Sequence, residues 1–248
     1  MAATDVISVM SKIIELMYRY RLNLSLRDIS EQCGVEEDDL IPILSKLVER
    51  GWLRYDEQSK LYRHGLSLLA YTGEDRLRKE LIHQCDHIMR KLSEECNQTV
   101  MLNVLDGLHA ICIHKIEPEK AVRIASRVGR ESPLHAGCSG RILLAYAPEA
   151  VRKAVLAMPL IKYTPFTITS PEALNESLFE IRRAGYCSSV EEIDPGAGAI
   201  SYAILDGSNN LIAGLSVIGT RFAYENEGLF WKAMLDKAVK EIRLAMVG

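Results

Sequence analysis

Between residues 133 and 148 the chain reads PLHAGCSGRILLAYAP, in which small residues and two glycines lead into an apolar run with the pattern of a helix. The backbone N–H groups of Gly137, Cys138, Ser139 and Gly140 would then lie unpaired at a helix N-terminus. Such donors, with the helix dipole behind them, attract a carboxylate. The same small residues would also suit a segment packed tightly on a sheet. Cys138, three residues after His135, suggests a second chemistry, since a thiol at a helix start has a lowered pKa and can serve as nucleophile or redox sensor. GCSG is not the G-x-S-x-G of a nucleophile elbow and no spaced partner set accompanies it, so no enzyme is expected. His83 and His87 are one helical turn apart with Cys85 and Cys96 near, but without adjacent third and fourth ligands they read as solvated rather than as a zinc site. No glycine-rich loop has Walker or Rossmann spacing, and neither cofactor nor metal is expected.

The frame that must hold these residues is 248 long, enough for two domains. Hydrophobic residues make up 48% and charged ones 25%, which excludes a disordered chain. The start, MAATDVISVMSKII, lacks a basic n-region and a cleavage site, and no run approaches ~18 uncharged apolar residues, so a cytoplasmic protein without a membrane partner is expected. Six scattered cysteines without a CxxC pair fit reduced thiols. Net charge is −3, so any affinity for nucleic acid has to come from a local surface.

Residues 5–20 carry apolar side chains at three- and four-residue spacings, the stripe of an amphipathic helix. In SLRDISEQCG, Ser25 can cap a short helix that Gly34 ends. EEDDLIPILSKLVERG follows, with Leu40, Ile43, Leu44, Leu47 and Val48 on one face. WLRYDEQSKLYR alternates around DEQSK and reads as a two-stranded wing. Helix, short helix, turn, longer helix and hairpin are the order of a winged helix-turn-helix. We place this domain at 1–65, a short helical linker at 66–75 and a second domain at 76–248. The second opens with a long helix to Cys96 and a hairpin turning at Asp106–Gly107, followed by a strand at VRIASRV. Helical patterns at 139–157 and 171–184, strands at CSSV, AISYAIL and LIAGLSVIG, and a helix over 226–246 complete it. The predicted class is α+β: the winged domain joined to an α/β domain with a central antiparallel sheet.

Three stretches, ISEQCGV…LSKLVERGWL, RESPLHAGCSGRILLAY and GYCSSVEEIDPGAGAISYAILD, resemble the IclR family in order and spacing over nearly the whole chain. The resemblance implies a homodimer or homotetramer, a DNA operator as partner, and a small-molecule effector, a carboxylate or aromatic acid, bound in the C-terminal domain. It implies a ligand-responsive transcriptional regulator of repressor type. It also places the ligand carboxylate beside Cys138 and Ser139. Carried over residue by residue, the family's acidic pocket position falls at Ser189, a cysteine position at Ala199, and two strand serines at Ser216 and Ile218; only Ser216 keeps its type. Fewer polar groups and an added Ile suit a ligand larger or less polar than a glyoxylate-type acid, or a pocket filled by its own side chains. Glu192, Pro195 and Gly196 match the family's E-x-x-P-G frame and read as loop scaffold.

The recognition helix departs from the family. Relatives open it with Lys, Ser and Thr and place an Arg one turn in; here Glu37, Asp38, Asp39 and Pro42 stand at those positions. Five carboxylates face two cations between Val35 and Gly51. As a helix start this is sound, with Asp38 or Asp39 as cap and Pro42 in the first turn, but as a phosphate-facing surface it is repulsive. DNA contact is expected instead from Ser25 and Arg27, from Ser45, Lys46 and Arg50, and from Lys60 and Arg63 on the wing. The alternative is a sensor or interaction protein that keeps the fold without binding DNA.

Overall fold

The computed structural model describes residues 6–20, 23–65, 67, 76–124 and 126–246. The chain divides into two compact units, Met1–Arg76 and Leu77–Gly248. Apart from Ser67, the expected linker at 66–75 lies outside the described residues.

The first unit runs α1 (Val6–Tyr20), β1 (Leu24–Ser25), α2 (Leu26–Cys33), α3 (Glu37–Glu49), β2 (Leu53–Asp56) and β3 (Leu61–His64), with the strands in the order β1-β3-β2. Val9, Ile13, Leu16 and Met17 recur at helical spacing on α1 and meet Ile29, Cys33, Leu40, Leu44, Leu47 and Leu53 in one core. α2 is short and starts sharply because Ser25 and Asp28 form a capping box, each side chain accepting from the other's backbone N–H. Gly34 ends it at φ 70°, the left-handed cap that lets the chain turn into α3.

The second unit contains α4 (Arg76–Cys96), β4 (Thr99–Asp106), β5 (His109–Ile116), β6 (Glu131–Pro133), α5 (Gly137–Tyr146), α6 (Glu149–Ala157), α7 (Pro171–Ala184), β7 (Tyr186–Val190), β8 (Ala197–Leu205), β9 (Leu211–Thr220) and α8 (Arg221–Ala245). All neighbouring strands are antiparallel, in the order β6-β5-β4-β9-β8-β7. Strand alternation divides the core by face. Val100, Leu102, Ile200, Ile204, Leu215 and Val217 point to α4 and α8, where Trp231 is fully buried. Ala110, Cys187, Ala199 and Ala203 point to α5 and α7 and meet Ile142, Leu143 and Leu178.

Three sequence expectations are corrected. VRIASRV is not a strand: the described residues from 121 to 130 form bends and turns, and Val122 and Val128 are exposed instead of supplying a buried face. The third strand is β6, nine residues past Val122 at Glu131, paired with β5. The helical pattern over 139–157 is two helices, because Pro148 has no N–H to continue α5 and instead stands as the N-cap of α6. The last helix begins at Arg221 rather than 226, where the Thr220 side chain accepts from the backbone N–H of Ala223.

Candidate ligand cleft and DNA-reading surface

On the α5 side of the sheet a cleft encloses about 640 Å³, open solvent included. Gly137, Cys138, Ser139, Gly140, Ser189, Ala199 and Ile218 all line it. Of the sequence-derived candidates Ser216 alone stays behind the wall, fully buried, its hydroxyl 2.9 Å from Ser139 Oγ and 2.6 Å from Ser201 Oγ. Antiparallel registry explains the grouping: Ala199 pairs with Ile218 and Ser201 with Ser216, so both pairs face α5.

The start of α5 is not open in the way its small residues suggest. Gly137 N–H donates to Glu192 Oε2 at 2.9 Å and Cys138 N–H to Ser189 Oγ at 2.9 Å. The protein's own carboxylate therefore occupies the place expected for a ligand's, favoured by the same unpaired donors and dipole. The sequence suggests a loop scaffold at Glu192; in the fold it is the internal anion, and its other oxygen pairs with the guanidinium of Arg141. Arg141 also donates to Ser177 Oγ at 2.6 Å and to the Ser188 carbonyl at 3.0 Å. Thr167 Oγ1 holds the Glu192 carbonyl at 2.6 Å, so the turn is fixed by its backbone as well.

Cys138 does not have the activated thiol that its position suggested. It is buried, Ser201 Oγ donates to its sulfur at 3.0 Å, and burial pushes its pKa up. All six cysteines are free and buried. Iodoacetamide at pH 8 should therefore leave Cys138 unmodified in the native protein and label it only after unfolding; fast native labelling, read by peptide mass spectrometry, would contradict this. Among the described residues no group of three or more His, Cys, Asp or Glu could hold a metal ion.

Other lining residues escaped the sequence reading: Met101 and Asn103 on β4, Ile124, Ser126 and Arg130 on the segment before β6, and Asp194 on the turn after β7. Arg130 Nη2 and Asp194 Oδ2 approach to 3.4 Å across the cleft, from elements near opposite edges of the sheet. That contact requires the sheet to curl. The signal for Asn103 was present in the sequence, as a carboxamide at an inward position of the apolar strand TVMLNVLD.

The family model for the bacterial transcriptional regulator IclR C-terminal region matches residues 76–244. The chain belongs to the IclR family. The chain is similar to the HTH-type transcriptional regulator XynR of Escherichia coli, 29% identical over 211 residues, covering 83% of this chain and 82% of that one. It superposes on the IclR of Thermotoga maritima with a TM-score of 0.79 at 25% identity, covering 96% of this chain and 97% of that one. An IclR homologue from Microbacterium hydrocarbonoxydans, solved with 4-hydroxybenzoate, shares the fold with a TM-score of 0.82 at 24% identity, covering 97% and 98% of the two chains. The second unit's curled antiparallel sheet is the architecture of this IclR fold. Among the described residues no helix is long and apolar enough to cross a membrane.

The residues expected to contact DNA all lie in the first unit. α3 begins at Glu37, with Glu36 at the N-cap making no side-chain cap bond. Asp38 and Asp39 are therefore not caps but first-turn residues, and Pro42 lies in the second turn, inside the helix. The early start lets Leu40, Leu44 and Leu47 face the core together, while the carboxylates of the first turn complement the dipole. Ser25 spends its hydroxyl on Asp28, which holds that carboxyl below the usual range. Arg27 pairs with Glu31 at 2.9 Å and Lys46 with Glu49 at 2.7 Å. Ser45 and Arg50 are exposed on α3 and just after it. Lys60 sits in the wing turn, and Arg63 stands directly opposite Arg54, both exposed. Arg54 is not among the residues expected to contact DNA; its outward place beside the buried Leu53 in WLRYD is its signal in the sequence. Arg54, Lys60 and Arg63 form no ion pair among the described residues.

Proposed function

We propose that the protein is a ligand-responsive transcriptional regulator of repressor type, reading DNA with residues 1–65 and sensing a small organic acid or aromatic metabolite with residues 76–248, joined by a linker at 66–75. The observation that carries the reading is the set of exposed wing cations that form no ion pair among the described residues, Arg54, Lys60 and Arg63, beside a helix pair whose cations Arg27 and Lys46 are already paired. Phosphate contacts then come chiefly from the wing, with Ser25, Ser45 and Arg50 in support. Similarity to HTH-type transcriptional regulators such as XynR supports transcription regulation, and the bound 4-hydroxybenzoate of the Microbacterium protein supports an aromatic acid as one effector class. Self-association into a dimer or tetramer is supported by Phe222 and Leu229, two exposed apolar side chains seven residues apart on α8. A cytoplasmic location follows from this role.

The test is fluorescence anisotropy with the gene's own upstream DNA over a salt series. Saturable binding above that of random DNA is expected. The double variant Arg54→Gln/Arg63→Gln should weaken it roughly tenfold and reduce the salt slope by about 2, one per lost phosphate contact. A folded protein that does not bind at low salt overturns the regulator reading. It would favour the sensor without DNA binding, for which the acidic first turn of α3 is the specific observation.

A further inference from the structure

Two residues that line the cleft each carry a buried hydrogen-bond donor with no partner among the described residues, the Nδ2 of Asn103 and the Oγ of Ser126. Asn103 is only 3% exposed. A buried donor left unpaired costs free energy, and native proteins carry few of them without a water, an ion or a function to explain each. Both groups are held firmly where they are. Asn103 lies in mid-strand on β4, at the register shift between Leu102 and Asn103 against β5. Ser126 belongs to a segment pinned from the sheet: Thr99 Oγ1 donates to the Ile124 carbonyl at 3.0 Å, and Lys115 Nζ donates to the Ser126 carbonyl. Arg130 stands at the same side of the cleft. Its contact with Asp194, 3.4 Å, is long for a charge-assisted bond.

We infer that the cleft grips a monocarboxylate through Asn103 Nδ2, Ser126 Oγ and Arg130, on the β4 side, and not through the first turn of α5. There Gly137 N–H already donates to Glu192 and Cys138 N–H to Ser189. The ligand's apolar or aromatic body then lies against Met101, Ile193, Ala199 and Ile218. A second carboxylate on the ligand is disfavoured, because Glu191, Glu192 and Asp194 line the opposite wall. The inference rests on the cleft being the effector site, and it names the residues that recognise the anion.

The test is calorimetric titration of the full chain with benzoate, 4-hydroxybenzoate and pyruvate, alongside thermal unfolding of the ligand-free variants. At least one of the three acids is expected to bind the wild type saturably. Asn103→Ala and Ser126→Ala should each weaken that binding by about tenfold or more, the usual effect of losing a hydrogen bond to a charged group. Neither variant should lower the ligand-free Tm, since each removes an unpartnered donor; a residue with a merely structural role would lower it. Wild-type affinity in both variants overturns the assignment. If none of the acids binds at millimolar concentration, the carboxylate assignment falls, while the regulator reading still stands or falls on operator binding alone.

Discussion

Replacing Arg141 with Met should lower the unfolding free energy of the second unit by about 3–5 kcal/mol, the usual effect of removing one partner of a buried ion pair. Arg141 and Glu192 side chains are 7% and 10% exposed, so water cannot compensate the carboxylate that is left behind. The loss includes the hydrogen bonds to Ser177 Oγ and the Ser188 carbonyl, which tie α5 to α7 and β7. Urea unfolding read from Trp231 fluorescence in a Trp52→Phe background isolates this unit, because Trp231 lies in its core. The double variant Arg141→Met/Glu192→Gln should recover a substantial part of the loss, since no buried charge then stands alone. A single variant within about 1 kcal/mol of wild type would mean that Glu192 is not held as an internal anion, and the account of the α5 N-terminus would fail with it.

Gly140→Ala should be nearly as damaging, for a steric reason. A Cβ at this position would stand 2.1 Å from the Pro133 carbonyl oxygen and 3.1 Å from Leu134 Cα. Both are backbone atoms, so no rotamer change relieves the clash and α5 has to move off the β6 end of the sheet. Overpacking of this kind costs about 3 kcal/mol, the upper end of the usual range, or more. For a unit of this size that corresponds to a fall in Tm of roughly 10 °C. Gly207→Ala serves as the control, with nothing within 4 Å of its added Cβ, and should leave the Tm within about 2 °C of wild type. A Gly140→Ala protein as stable as the control would show that α5 does not pack this closely. The expected result shows that the small residues of GCSG do serve close packing, alongside their place at the helix start.

Much of the architecture is written in local pattern. The α1 stripe of Val9, Ile13, Leu16 and Met17, the Ser25–Asp28 capping box, Gly34 and the alternation along AISYAIL each report a period or a cap that a few neighbouring residues decide. Where local pattern misled, a competing local rule or burial prevailed. Pro148 broke an apparently continuous helix by lacking a donor. The apolar residues of VRIASRV resembled a strand, yet Val122 and Val128 found no buried face. Asp38 and Asp39 were suitable caps, but the core positions of Leu40, Leu44 and Leu47 drew the helix start back to Glu37.

The sequence by itself determined a two-part chain with a winged helix-turn-helix followed by a helix-flanked antiparallel sheet, its IclR kinship, and the acidic start of its recognition helix. Most of the cleft-lining candidates were also legible, Gly137 to Gly140 because they share one helix turn, and Ser189, Ala199 and Ile218 through the family resemblance. Tertiary structure alone decided which groups meet. Glu192 reaches Gly137 across 55 positions of sequence, and Arg130 reaches Asp194 across 64. Only the curl and order of six strands bring such distant residues within bonding distance, and no local period encodes that curl. The same long-range packing made Cys138 a buried thiol and left Asn103 and Ser126, which line the cleft, each with a buried donor unpaired among the described residues. Helices and strands follow from neighbours a few residues apart, whereas the chemistry of this cleft depends on desolvation and on partners that only the assembled sheet supplies.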